Sequence, residues 1–339
     1  MKKVLYIILI SIFSLILTSC AKKEESKSSS SSSGTTTTTT DDDTTTTDDT
    51  TTSSSGSGVF VVVGASGNIL RSTDNGSSFD NVTSPTANYL TSVTFVNNTF
   101  VAVGNNGNIV RSTDNGTTWD NATSPTANYL WGIGFGNNTF VAVGNSGNIV
   151  RSTDNGTTWD NATSPTENNL RGVTFVNNTF WAVGQSGNIL RSTDNGSSFD
   201  NVTSPTANYL QGITFGNNTF VGVGSSGNIV RSTDNGSSWD NVTSPTANYL
   251  YGVTFINNTF WAVGASGNIV RSTDNGSSWD NVTSPTANNL YTVGFGNNTF
   301  VAVGQKGNIV RSTDNGSSWD NVTSGLPVTY ANNLLGVTF

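Results

Sequence analysis

Residues 107–121, Gly-Asn-Ile-Val-Arg-Ser-Thr-Asp-Asn-Gly-Thr-Thr-Trp-Asp-Asn, decide the fold of this chain. The stretch occurs seven times with small variations, and its copies begin at Gly67, Gly107, Gly147, Gly187, Gly227, Gly267 and Gly307. The spacing is 40 residues every time, without an insertion or deletion between copies. Self-similarity at a fixed period of this size indicates a repeat architecture.

Each copy contains four short runs that are typical of β-strands. In the copy that begins at Leu130, the runs are residues 130–135, 140–143, 148–152 and 159–163. The first three runs are rich in β-branched and aromatic residues, the fourth is more polar, and Gly, Asn, Asp or Pro bounds each run. Four short antiparallel strands in about 40 residues are the pattern of a β-propeller blade.

The two ends of the repeat region predict how the ring closes. Residues 60–63 align with the second run of a copy, so the repeats open one strand late, and residues 335–339 align with the first run. Four extra residues between Ser324 and Leu334 lead into that last run. We therefore predict an all-β, seven-bladed β-propeller of four-stranded antiparallel blades. Its C-terminal strand pairs with the three N-terminal strands, which removes the open edges.

The segment Ser-Thr-Asp-Asn-Gly-Thr-Thr-Trp resembles the Asp-box, or BNR, motif Ser-x-Asp-x-Gly-x-Thr-Trp; we call each copy of this segment a box. Phe79 and Phe199 replace Trp in two copies, and five copies have Ser for the motif's Thr. The whole blade is similar to the propellers of photosystem II assembly and stability factors. That resemblance implies a propeller acting in assembly, although similar blades also occur in sialidases and glucanases, so it supports fold more than function.

The chemistry of the box favours a structural role. Asp154 can accept hydrogen bonds from nearby backbone N–H groups, Gly156 supplies a positive φ, and Trp159 can cover the turn. The alternative is a cation site, but calcium takes six or more oxygens from a richer carboxylate loop. The structural aspartates of the seven boxes are Asp74, Asp114, Asp154, Asp194, Asp234, Asp274 and Asp314. We interpret the arginine that repeats in every copy as structural too, paired with box carboxylates.

The first 57 residues predict export and a tether. Residues 1–19 combine Lys2 and Lys3 with a largely apolar stretch, and they end before Cys20, the one cysteine of the chain. Residues 17–20, Leu-Thr-Ser-Cys, resemble a bacterial lipobox, which implies a lipoprotein signal peptide and a lipid-modified Cys20 in the cell envelope. A plain signal peptide or a short membrane anchor are the alternatives. Residues 20–57 are mostly Ser, Thr and Asp, a composition typical of a disordered linker, and residues 58–339 form the propeller.

Composition excludes several functions. The net charge is −8 and the repeats have no basic stripe, which argues against nucleic acid as a partner. The chain has no His, the commonest general base and metal ligand. We expect no catalytic residues, no metal, no cofactor and a monomeric protein.

Positions that differ between copies point to a binding face. The residue that opens the first strand is Thr91, Trp131, Arg171, Gln211, Tyr251, Tyr291 or Leu335, a mixture that includes types enriched at recognition surfaces. The turn between second and third strands varies as well, and Glu167 and Lys306 are the only Glu and Lys of the repeats. Strand order places all of these on the face opposite the boxes. The proposed ligand-binding residues are Thr91, Trp131, Arg171, Gln211, Tyr251, Tyr291, Asn105, Asn145, Gln185, Gln305, Lys306 and Glu167.

Three functions remain open at this point. The first is a membrane-tethered, non-catalytic binding or assembly scaffold that recognises a protein or glycan through the variable face. The second is a sialidase-like glycoside hydrolase, which needs an arginine cluster and an acid with a nucleophile. The third is a purely structural surface protein, whose exposed positions vary because loops tolerate change.

Overall fold

The computed structural model describes residues 58–339, which form seven four-stranded antiparallel sheets. The predicted signal peptide and tether, including Cys20, lie outside the described residues. Within residues 58–339 no helix is long and apolar enough to cross a membrane.

The strands follow one another in chain order. Blade 1 begins with β1 (Phe60–Gly64), β2 (Ile69–Ser72) and β3 (Asp80–Val82). Blade 2 contains β4 (Leu90–Val96), β5 (Thr99–Gly104), β6 (Ile109–Ser112) and β7 (Asp120–Ala122). Blade 3 contains β8 (Leu130–Gly136), β9 (Thr139–Gly144), β10 (Ile149–Ser152) and β11 (Asp160–Asn161). Blade 4 contains β12 (Leu170–Val176), β13 (Thr179–Gly184), β14 (Ile189–Ser192) and β15 (Asp200–Val202).

The remaining blades repeat this plan. Blade 5 contains β16 (Leu210–Gly216), β17 (Thr219–Gly224), β18 (Ile229–Ser232) and β19 (Asp240–Val242). Blade 6 contains β20 (Leu250–Ile256), β21 (Thr259–Gly264), β22 (Ile269–Ser272) and β23 (Asp280–Val282). Blade 7 contains β24 (Leu290–Gly296), β25 (Thr299–Gly304), β26 (Ile309–Ser312) and β27 (Asp320–Val322), and β28 (Leu334–Thr338) ends the chain.

Single 3₁₀ turns join the second and third strands of every blade. They are Ala65–Gly67, Asn105–Gly107, Asn145–Gly147, Gln185–Gly187, Ser225–Gly227, Ala265–Gly267 and Gln305–Gly307. The extra residues before β28 include an eighth turn, Tyr330–Asn332. The predicted fourth strand is shorter than expected. In blade 3 it spans only Asp160–Asn161, and the Trp159 side chain before it donates from Nε1 to the Gly156 carbonyl at 3.1 Å.

The predicted closure of the ring is confirmed. Strand β28 pairs antiparallel with β1, so blade 1 has the order β28-β1-β2-β3. The innermost strands of neighbouring blades contact each other around the complete circle, from β28 through β4 to β24 and back to β28. Every blade therefore has two neighbours.

The apolar core lies between neighbouring blades. In one such layer, Val61 and Val63 of blade 1 pack with Phe100, Ala102 and Trp119 of blade 2. The second strands supply most of this core, and their Phe residues are fully buried. Because each layer is shared by two blades, a single blade cannot bury its own apolar surface, and stability depends on the closed ring.

Two tryptophans of the second strands fill wider interblade gaps. Trp181 is 2% exposed, and its ring lies 4.9 Å from the Phe220 ring of the next blade. A Cβ added to Gly236, in that next blade's box, would lie 2.2 Å from the Trp181 ring. Trp261 makes the same contact with Gly316. The box glycine therefore has two roles. It adopts a positive φ, and its missing side chain leaves room for the tryptophan ring of the neighbouring blade.

Candidate functional site

The two ends of the propeller carry different residues. At one end, the start of each first strand lies beside a 3₁₀ turn, as the hydrogen bond from Asn145 N to Tyr129 O (2.9 Å) shows. At the other end, the boxes lie beside the hairpins that join first and second strands. Asn137 in one of these hairpins donates to the Asn195 side chain of a neighbouring box at 3.3 Å. We call these the box-free end and the box end.

The box aspartate holds its own turn together. Asp114 Oδ1 accepts from the backbone N–H groups of Thr117 and Thr118 at 3.1 and 2.9 Å, and from the Ser112 hydroxyl at 2.8 Å. Its Oδ2 accepts from the Thr118 hydroxyl at 2.6 Å. The Thr118 hydroxyl, followed by the Thr118 N–H, lowers the pKa of Asp114 to about 2. Both carboxylate oxygens are thus bonded within the turn, and residues 58–339 contain no acidic cluster that could hold a metal ion.

In four blades the repeated arginine joins two blades by bonding to a backbone carbonyl of the next box, and not to a box carboxylate as predicted. Arg111 donates from Nε to the backbone carbonyl of Asn155, in the box of the next blade, at 2.9 Å. Asn155 in turn donates from its side chain to the Thr99 hydroxyl at 2.8 Å. Arg71, Arg231 and Arg311 make the same bond to the following box. Each such bond fixes the angle between two blades at the box end.

A β-bulge marks the start of every first strand. In blade 3, Leu130 pairs with Gly144 and Gly132 pairs with Val143, so residue 131 has no partner on the neighbouring strand. The same shift occurs in all seven blades. The unpaired residues are Thr91, Trp131, Arg171, Gln211, Tyr251, Tyr291 and Leu335, and we call them the bulge ring. They are the variable first-strand positions predicted from the sequence.

The bulge explains why these positions can vary. An extra residue in a strand has no cross-strand neighbour, and bulges commonly redirect a side chain at functional sites. Neighbouring bulges also lie close together, since a Cβ added to Gly132 would lie 2.3 Å from the carbonyl oxygen of Arg171. The ring is therefore a continuous set of side chains around the inner strands at the box-free end.

Four side chains of blades 3 to 5 form the arginine cluster, which comprises Tyr129, Trp131, Arg171 and Tyr209. Tyr129 and Trp131 are stacked with ring centroids 5.1 Å apart. The Arg171 guanidinium lies 3.7 Å from the centroid of the Trp131 ring, and its Nε donates to the Tyr209 hydroxyl at 2.8 Å. Trp131 Nε1 donates to Asn145 Oδ1 at 2.6 Å. Arg171 thus connects three blades and is held by aromatic contacts on both sides.

Three side chains of blades 6 and 7 form the tyrosine cluster, which comprises Tyr249, Tyr251 and Tyr291. Tyr249 stacks on Tyr251 at 6.0 Å, and Tyr251 meets the Tyr291 ring edge-on at 5.3 Å. Burial, and then the neighbouring tyrosines, raises the pKa of Tyr251. Burial also raises the pKa of Tyr291, and the nearby Asn289 side chain lowers it in part. Both hydroxyls are therefore uncharged at neutral pH.

The other predicted site residues differ in burial and in the contacts that they make. Thr91 is buried, and its hydroxyl donates to the carbonyls of Val103 and Leu130, so it serves the scaffold. Gln211 lies between the two clusters in blade order and is half-buried. The predicted turn and loop residues are half-buried (Asn105, Asn145, Gln305 and Lys306) or exposed (Gln185 and Glu167). Lys306 holds its ammonium 4.6 Å above the Tyr330 ring.

Sequence reasoning missed the residues two positions before each bulge. Tyr occurs there in four blades, at Tyr89, Tyr129, Tyr209 and Tyr249. In the other three blades Asn occurs, and Asn169, Asn289 and Asn333 each accept a bond from the backbone N–H of a neighbouring 3₁₀ turn. At this position some copies have an Asn that bonds to the turn, and the others have a Tyr whose ring is partly exposed. This difference between copies is the signal in the sequence that identifies the tyrosines.

The repeat region matches a known protein family. A family model described as the DUF6242 β-propeller domain matches residues 133–249 and 209–336. The chain belongs to this β-propeller family. No curated protein sequence matches it.

Solved structures show the same fold at low identity. YCF48 bound to a D1 peptide is 20% identical with a TM-score of 0.62, over 74% of this chain and 86% of that one. YCF48 from Cyanidioschyzon merolae is 19% identical with a TM-score of 0.57, over 71% and 87%. The designed protein Ika8 is 11% identical with a TM-score of 0.61, over 81% and 92%. The predicted resemblance to photosystem II assembly factors is thereby confirmed for the propeller.

Proposed function

We propose that this chain is a non-catalytic binding scaffold that recognises a protein or a glycan through the bulge ring at its box-free end. The observation that carries the proposal is the ring itself. Seven positions are released from strand pairing at one end of the propeller, and four of them carry Trp, Arg or Tyr. These residue types dominate the energetics of recognition surfaces. In a similar structure, YCF48 is bound to a D1 peptide, so a propeller of this fold can hold a protein ligand.

The geometry disfavours the glycoside hydrolase alternative. Such enzymes need two carboxyl groups about 5 to 9.5 Å apart across the scissile bond. In residues 58–339, Glu167 is the only acidic residue outside the repeated aspartate positions. The repeated arginines are distributed one per blade at the box end, where four of them bond to the box of the next blade: Arg71, Arg111, Arg231 and Arg311. They do not converge on one point as a substrate carboxylate would require.

The test of the scaffold is a capture experiment with the full chain. The variant Trp131→Ala/Arg171→Ala/Tyr251→Ala/Tyr291→Ala removes the large side chains of the bulge ring. We expect it to lose capture of an envelope protein or glycan while the propeller stays folded, because these side chains lie outside the interblade apolar layers. Capture that survives all four changes would place the binding face elsewhere. A chain that captures nothing in either form would favour the purely structural alternative.

The proposal includes a tether, which rests on the sequence alone. A lipid on Cys20 would hold the propeller at a membrane of the bacterial cell envelope, with residues 21–57 as a spacer. Metabolic labelling with a fatty acid, followed by membrane fractionation, tests this in the full chain. We expect Cys20→Ser to lose both the label and the membrane association. A Cys20→Ser chain that still fractionates with membranes would contradict lipid anchoring at this residue.

A further inference from the structure

The tyrosines of the described residues are confined to the box-free end. The chain has eight tyrosines, and the seven in residues 58–339 lie in the loops before the bulges, in the bulge ring or in the extra segment before β28. They are Tyr89, Tyr129, Tyr209, Tyr249, Tyr251, Tyr291 and Tyr330. The exposed large apolar side chains of the described residues are Tyr89, Tyr249, Val328 and Tyr330, all at this same end. Such segregation of tyrosine is not expected of neutral variation, although half-buried phenylalanines such as Phe135 lie towards the box end.

Charge is distributed in the opposite way. The fourteen repeated aspartates and seven repeated arginines flank the boxes and give the box end a net charge of −7. The box-free end carries Arg171, Lys306 and Glu167, a net charge of +1. Arg171 is already bonded to Tyr209 and stacked on Trp131, and the Lys306 ammonium lies over the Tyr330 ring. A strongly charged ligand would therefore find little complementary charge at this end.

The tyrosine cluster is preorganised and uncharged. Its three rings already contact each other without a ligand, so little side-chain entropy is lost on binding. Tyr251 and Tyr291 are uncharged at neutral pH, because burial raises the pKa of each. Amide side chains lie near it, with Asn289 beside the Tyr291 hydroxyl and Gln211 in the preceding bulge. Rigid aromatic rings beside neutral donors and acceptors suit a ligand with apolar C–H faces and many hydroxyl groups.

We propose that the tyrosine cluster binds an uncharged polysaccharide, with sugar rings stacked on Tyr249 and Tyr251 and sugar hydroxyls bonded to neighbouring amides and tyrosine hydroxyls. This inference rests on the proposed binding function and names its ligand class. A protein partner would instead draw on complementary charge and on pockets for anchoring side chains. The cluster offers flat rings packed against one another and no charged member.

Affinity electrophoresis of the full chain tests the proposal. The gels contain a neutral polysaccharide (β-glucan, mannan or xylan) or, as the matched probe, an acidic one (alginate or polygalacturonate). We expect retardation by at least one neutral polysaccharide and a loss of affinity of about tenfold in Tyr251→Ala/Tyr291→Ala, which corresponds to about 1.4 kcal/mol. Tyr251→Phe/Tyr291→Phe keeps the rings and should retain most of the affinity. Tyr89→Ala, an exposed tyrosine of the same face in blade 2, is the control that should bind normally.

Two results would overturn the inference. One is the absence of retardation by every neutral polysaccharide, or retardation by the acidic ones alone. The other is neutral binding that the Tyr251→Ala/Tyr291→Ala variant retains in full. Near-ultraviolet circular dichroism of each variant excludes loss of fold as the cause. If the chain fails here but still captures an envelope protein through Trp131 and Arg171, the ligand class is wrong and the scaffold function stands.

Discussion

At the scale of single residues, the box aspartate shows how one side chain fixes a turn. Asp154 accepts bonds from Ser152, from the backbone N–H groups of Thr157 and Thr158, and from the Thr158 hydroxyl. Asn155 and Gly156 follow it with φ of 59° and 81°. Two consecutive residues in the left-handed region are unfavourable without external support. The carboxylate supplies that support with both of its oxygens.

Removing this carboxylate should destabilise the chain more than removing a nearby one. For Asp154→Ala we expect a loss of about 1 kcal/mol or more in the free energy of unfolding, since several net hydrogen bonds disappear. The matched control is Asp160→Ala, an exposed aspartate on β11, for which we expect about 0.5 kcal/mol or less. Urea unfolding monitored by tryptophan fluorescence measures both. Equal losses would show that the box bonds contribute nothing beyond an exposed charge.

The residues of the box could be predicted from the sequence because their partners are near in the chain. Asp154, Gly156 and Trp159 act within one turn, so spacing alone identifies their roles. The partner of Arg111 could not be found in this way. Its acceptor is Asn155, 44 residues away in the next blade. Only the angle between blades brings the two together, and a pattern within one repeat does not contain that angle.

At the scale of elements, the β-bulge separates scaffold from surface within a single strand. Leu210 pairs with Gly224 and is fully buried, Gln211 is unpaired and half-buried, and Gly212 resumes pairing with Val223. The sequence identified position 211 as variable, and strand order assigned it to the box-free end. It did not predict the bulge, because the extra residue breaks no hydrophobic pattern. The sequence also gave no reason to exclude Thr91 from the predicted binding residues, since only the folded structure shows the hydrogen bonds of its hydroxyl.

Adjacent substitutions in β16 should therefore differ sharply. We expect Leu210→Ala to cost about 2 to 5 kcal/mol, the usual range for truncating a buried Leu. For Gln211→Ala we expect a change of about 0.5 kcal/mol or less. Thermal unfolding of the two variants under identical conditions makes the comparison. A large loss in Gln211→Ala would mean that the bulge ring belongs to the scaffold and is not free to evolve as a binding surface.

At the scale of the whole molecule, the seven boxes titrate together. Hydrogen bonds within each box, from the Thr118 hydroxyl in the case of Asp114, lower the pKa of every box aspartate to about 2. In the unfolded chain these groups titrate near about 3.9. The stability that they contribute is therefore complete above about pH 4 and is lost as the pH falls towards 2.

We expect the melting temperature to fall steeply between about pH 4 and pH 2 at constant ionic strength. Over this interval the unfolded chain binds more protons than the folded one, so acid shifts the equilibrium towards unfolding. Differential scanning calorimetry at several pH values gives the curve. Asp114→Asn removes one of the seven groups and should make the fall shallower. A melting temperature that stays constant from pH 4 to 2.5 would contradict the predicted role of the boxes.

Closure of the ring is a property of the whole chain, and one strand decides it. Strand β28 covers the edge of β1, a strand of five buried residues, and Phe339 packs 4.8 Å from Phe60. Gly336 lies at a close approach, since an added Cβ would lie 2.9 Å from Val63 Cγ2 and 3.0 Å from Ser92 Cα. A larger side chain there forces a shift of Val63, of Ser92 or of β28 itself.

We therefore expect Gly336→Val to lower the melting temperature and to cause concentration-dependent self-association, because the uncovered edge of β1 can pair with another chain. Leu335→Ala is the matched control, since the neighbouring residue is the unpaired bulge of the same strand and should tolerate truncation. Sedimentation velocity at several concentrations, with thermal unfolding alongside, distinguishes the two variants. If Gly336→Val sediments as one unchanged species with normal stability, the ring is held closed by the interblade layers, and β28 is an accessory to them.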